Sequence, residues 1–111
     1  MPTAFLYSGN LKEISMIKIK YSLGNKNRIE IKGHAGFDQK GRDIVCAGVS
    51  AIFYALCGKL ENQDGAEYTY RDKAGEAYAE CRGERDAFDM AVIGFMQIEL
   101  AYPENVCVAK R

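Results

Sequence analysis

The sequence predicts an α/β fold: a two-layer sandwich in ββαββα order, with two helices packed on a mixed β-sheet. Three observations carry that reading. Two pairs of short segments alternate apolar and polar residues with period two, and turn residues join each pair. A longer apolar segment of helical character follows each pair. The chain has 111 residues, 48% of them hydrophobic, which is enough for one core and too little for two domains of ordinary size.

Residues 1–15, MPTAFLYSGNLKEIS, keep no period and are expected to form a peripheral or disordered arm outside a single domain spanning 16–111. Phe5, Leu6 and Tyr7 of that arm are free to pack on the body or on a second subunit. From Met16 the alternation is plain: Ile17, Ile19 and Tyr21 face one way, Lys18 and Lys20 the other. Gly24-Asn25-Lys26-Asn27 supplies turn chemistry, and Arg28-Ile29-Glu30-Ile31-Lys32 alternates again, giving a hairpin.

After a loop over residues 35–42, Asp43 is a good N-cap for a helix over 44–60 that is apolar almost all round and so expected to be buried on most faces. Residues 67–71 and 76–81 read as strands about the turn Asp72-Lys73-Ala74-Gly75. A second helix is expected from about Glu84 to Tyr102, with Phe88, Ala91, Val92, Phe95, Ile98 and Tyr102 at helical spacing and Pro103 as its stop. Asn105-Val106-Cys107-Val108 is a candidate for a short last strand.

Composition excludes several functions. Fifteen basic residues balance fifteen acidic ones, so no large field draws the molecule to phosphate backbones or anionic lipid, and no direct nucleic-acid partner is expected. The four cysteines, Cys46, Cys57, Cys81 and Cys107, contain no CxxC pair and no zinc spacing, which argues against a metal site. On one helix, Cys46 and Cys57 stand about 16 Å apart, beyond disulfide reach. Free thiols in apolar surroundings point to a reducing compartment, the cytoplasm. Neither the arm nor the apolar run over 44–56 reads as a signal peptide or a membrane span.

The chemistry concentrates in GHAGFDQKGRDIVCAGVS, residues 33–50, which holds the only histidine, His34, and a cysteine, Cys46, near the start of the first helix. A thiol becomes a strong nucleophile when a helix N-terminus or a neighbouring imidazolium favours its thiolate, and this stretch could supply both. The plainer alternative is a surface histidine and a packing cysteine. Asp43 has two opposed roles: as a cap it sets negative charge near Cys46, and as an orienting partner of His34 it favours imidazolium. Gly36 and Gly41 imitate a phosphate-binding frame, but Arg42 and Asp43 replace its lysine and hydroxyl. They serve better as hinges of a loop able to cover a substrate.

The run Gly33-His34-Ala35, Gly41, Asp43-Ile44-Val45-Cys46-Ala47 and Val49-Ser50 resembles the signature of the ribosomal-processing cysteine protease family, Prp, and Tyr102-Pro103-Glu104-Asn105-Val106 resembles its C-terminal segment. The resemblance runs from Met16 onward. It implies a bacterial cysteine endopeptidase that removes a short N-terminal extension from a large-subunit ribosomal protein, acts as a homodimer and needs no cofactor. Cys46 then matches the nucleophile, His34 the general base, Asp43 the family's acidic residue, and Ser50 a serine near or in contact with substrate. The family cuts after aromatic residues, which calls for an apolar groove with Phe37, Phe53 and Tyr54 as candidates to line it.

Two rivals stand beside the protease. One is a non-catalytic ribosome-associated or peptide-binding module in which Cys46 is buried packing. The other is a thiol carrier or redox sensor, disfavoured by the lack of a resolving cysteine nearby in sequence.

Overall fold

Alternation in the strands and one-sided burial in the helices build two layers. The computed structural model describes residues 16–33, 40–63, 67–73 and 75–111, with the side chains at 40–43, 67 and 73 excepted. The arm expected over residues 1–15 lies outside the described residues. The elements are β1 (Ile17–Ser22), β2 (Asn27–Lys32), α1 (Lys40–Glu61), β3 (Glu67–Lys73), β4 (Glu76–Arg82), α2 (Arg85–Ala101) and β5 (Val106–Lys110). The ββαββα order holds, and the candidate last strand completes a five-stranded sheet in the order β3-β4-β2-β1-β5. Only the β1–β5 pairing is parallel, so the sheet is mixed as expected.

Register puts the apolar side chains on one face. Ile19 pairs with Ile31, Ile29 with Ala79 and Ile31 with Ala77, all of them buried. The helices cover this face: Val45, Val49, Phe53, Leu56 and Leu60 from α1, and Phe88, Val92 and Phe95 from α2, complete the core. The other face is polar. Arg28 lies 3.2 Å from Glu80 and 4.4 Å from the Tyr78 ring centroid, and Glu30 is 3.0 Å from Arg111. These partly exposed pairs add little stability.

Two sequence expectations fail on α1. It is buried on one side only: Val45, Val49, Phe53, Leu56 and Leu60 recur at helical spacing, while Ile44 is 60% and Tyr54 55% exposed. Among the described residues, a single helix layer leaves each helix an outer side that no element covers, so an all-round apolar pattern does not produce all-round burial. The helix also begins at Lys40 and not after Asp43, which places Asp43 fourth in the helix, so it is not the N-cap. By length and composition, Ile44–Glu61 could cross a bilayer, in contrast to the shorter run read from sequence; its buried stripe packs on the sheet, as in a core helix.

One smaller departure matters for the site. β3 continues through Asp72 to Lys73, where a turn was expected. Between β4 and α2, Gly83 and Glu84 both adopt positive φ, 92° and 55°. Fully buried Asn27 ties that turn down, donating from Nδ2 to the Gly83 carbonyl at 2.7 Å and accepting the Gly24 N–H at 3.1 Å.

Candidate active site

Helix α1 crosses the open end of the sheet and leaves a cleft of about 400 Å³ beside it. Its apolar floor comes from Ile17, Ile31, Val49, Phe53 and Ala77. Cys46, Ser50, Tyr54, Asp72 and Glu76 form the more polar walls. Cys46, Ser50 and Tyr54 recur every four residues and therefore lie on one stripe of the helix, at a rise of about 6 Å per step. The period that packs α1 on the sheet thus also aligns a thiol, a hydroxyl and a phenol along the cleft.

Of the four cysteines, only Cys46 opens on this cleft, and it is partly exposed. Cys57 and Cys81 are buried and Cys107 is exposed. Burial, with the Glu61 and Asp72 carboxylates adding to it, pushes the Cys57 thiol up to about 11, so it stays protonated and packs as a small hydrophobe. As seventh residue of α1, Cys46 lies past the first turn, where the helix dipole acts. The helix-terminus position read from sequence for Cys46 therefore does not hold.

The sequence candidates fare unequally. The structure brings Cys46 and Ser50 together on the cleft, with Phe53 and Tyr54 as apolar lining. His34 and Phe37 lie outside the described residues, as does the side chain of Asp43. Gly33, bonded directly to His34, stands on the cleft wall. Its φ of +89° and its close approach to the Met16 carbonyl exclude a side chain there, and its N–H donates to Gly75 O at 3.0 Å. The chain therefore leaves β2 at the edge of the cleft.

Sequence reasoning missed Asp72, which it assigned to a turn. The signal was the alternation Tyr68, Tyr70, Asp72, which places all three on the side of the edge strand β3 that faces α1. Tyr70 donates to Glu61 of α1, and Tyr54 of α1 stands with Asp72 on the cleft. A tyrosine and a carboxylate thus meet twice between helix and strand, with the tyrosine on β3 in one pair and on α1 in the other. Among the described residues, no group of three or more His, Cys, Asp or Glu side chains is placed to share a cation.

The site is thus a partly exposed thiol on an apolar cleft between helix and sheet. The model of the cysteine protease Prp family matches residues 16–107, and the chain belongs to that family. It is 51% identical over 54 residues to the ribosomal processing cysteine protease Prp of Mycoplasma genitalium, a match that takes in 49% of this chain and 50% of that relative's length. Its fold is similar to that of an essential ribosomal processing protease Prp from S. aureus. In that protein's complex with a covalently linked product peptide, the TM-score is 0.74 at 21% identity, covering 86% of this chain and 100% of the other. With a substrate peptide bound, the S. aureus protein matches at a TM-score of 0.72 and 19% identity, with the same coverage.

Proposed function

We propose that the protein is a cysteine endopeptidase that removes a short N-terminal extension from a bacterial large-subunit ribosomal protein, working in the cytoplasm as a homodimer. The observation that carries this reading is the placement of Cys46, alone among the cysteines, on an apolar cleft in a chain of the Prp family. The processing named for the Mycoplasma relative and the peptides bound by the S. aureus protein support the substrate class.

The reaction is acyl transfer without a cofactor. His34 takes the Cys46 proton, and the thiolate attacks the scissile carbonyl to give a tetrahedral oxyanion. Collapse of that species breaks the C–N bond; the imidazolium gives its proton to the departing amine, leaving a thioester on Cys46. His34 then takes a proton from water, and the resulting hydroxide releases the new carboxyl end and restores the thiol. Asp43 orients His34, and Ser50, one turn beyond Cys46, contacts the substrate backbone. The apolar floor suits a substrate with aromatic or aliphatic side chains about the cut.

The test is incubation of the protein with the precursor of the host's large-subunit ribosomal protein that carries such an extension, followed by intact mass. The expected result is loss of the extension with the parent and an uncut, bound precursor with Cys46→Ala. Binding without cleavage by the parent would favour the non-catalytic module.

A further inference from the structure

An aromatic ring that stands 55% exposed on a cleft is ordinarily free to turn, but Tyr54 has neighbours on two sides. Its ring centroid lies 6.2 Å from that of Phe53 on the cleft floor, tilted by 57°. Its phenol lies near the Asp72 carboxylate of β3, which lines the same cleft. Interaction with that carboxylate pushes the phenol above its ordinary range, so it remains neutral at physiological pH. A ring packed in this way binds a side chain at a smaller entropy cost of ordering itself.

The position of the ring along the helix gives it a particular duty. Tyr54 stands eight residues beyond Cys46 on the same stripe, about 12 Å along the axis. An extended peptide advances about 3.3 Å per residue. A substrate lying along α1 with its scissile carbonyl at the Cys46 sulfur therefore brings its third or fourth residue from that bond to Tyr54. We infer that Tyr54, packed beside Phe53 on the cleft, is a specificity-determining residue that forms an apolar subsite for the substrate side chain three or four residues from the bond Cys46 attacks. This rests on the endopeptidase reading. It adds a second point of selection, remote from the cut, on the same helix as the nucleophile. The tilted apolar pair of Phe53 and Tyr54 suits an aliphatic or aromatic side chain there and rejects a charged one.

The test is a set of peptides with fixed residues at the scissile bond and Leu, Ala or Asp placed in turn at the third and fourth positions on each side. For the parent, kcat/KM is expected to favour Leu over Ala by about tenfold at one of these positions. In Tyr54→Ala that ratio falls toward one, while the ratio for substitutions next to the scissile bond holds. Tyr54→Phe and Asp72→Asn, which keep the bulk and remove the phenol or the charge beside it, lower the same ratio less, and thermal melting confirms that each variant is folded. A parent that cuts these peptides with no preference at those positions, or with a preference that Tyr54→Ala leaves intact or erases equally everywhere, overturns the inference and leaves the protease standing. A parent that cuts no peptide overturns both.

Discussion

Ile52 of α1 fills the space that Gly94 of α2 leaves open: a Cβ at position 94 would stand 2.9 Å from Ile52 Cδ1. The relation is returned one turn away, where Gly48 of α1 faces Ile98 Cδ1 of α2 at 3.3 Å from its would-be Cβ. Each helix thus offers a glycine to the other's isoleucine. This close approach presses α1 against its neighbour and fixes the stripe that carries Cys46, Ser50 and Tyr54.

Filling that space should push the helices apart. Gly94→Leu is expected to lower stability by about 1–3 kcal/mol, as overpacking does. Gly94→Ala should be close to neutral, because only the tip of Ile52 must turn and alanine favours the helix by up to about 1 kcal/mol. Urea denaturation of both variants checks the order.

A second prediction concerns Asn27, which is fully buried and bonds the Gly24 and Gly83 backbones. Asn27→Ala strands a donor and an acceptor and should cost about 1–3 kcal/mol in urea denaturation. Asn27→Asp should cost at least as much at neutral pH, since it turns a carboxylate oxygen toward the Gly83 carbonyl.

Much of this arrangement was legible because period carries burial. The alternation at Ile17, Ile19, Ile29 and Ile31 placed both hairpin strands correctly, and Phe88, Ala91, Val92 and Phe95 gave the buried face of α2. The start of α1 was not legible: Asp43 is a good cap by residue type, yet Lys40, Gly41 and Arg42 join the helix although glycine disfavours it. Composition also overstated the burial of α1, because an apolar residue such as Ile44 or Tyr54 reads the same whether it meets a core or an open cleft. Cys46 and Ser50 were found through their motif. Asp72 was not, because aspartate beside Lys-Ala-Gly reads as turn chemistry until the strand pairing is known.

The third prediction is alkaline destabilisation through Cys57. Its folded thiol titrates at about 11 against 9.0 for the ordinary group, so the folded state holds a proton that the unfolded state has lost between those values. The contribution is fully present below pH 9 and is lost as pH rises toward 11, by roughly 1 kcal/mol per unit within the window. Tyr70, pushed up to about 12 chiefly by its bond to Glu61, adds its own loss above pH 10. Unfolding free energy measured from pH 9 to 10 should therefore fall, and in Cys57→Ala the slope over that interval should flatten.

The central claim is that Cys46 is a nucleophile activated by His34. Its most direct test is the rate of iodoacetamide modification at pH 7, read at each cysteine by peptide mass mapping, in the parent and in His34→Ala. Cys46 is expected to react at least about tenfold faster than the exposed Cys107, and to lose most of that advantage without His34. A Cys46 that reacts no faster than buried Cys57, at a rate indifferent to His34, would contradict the account.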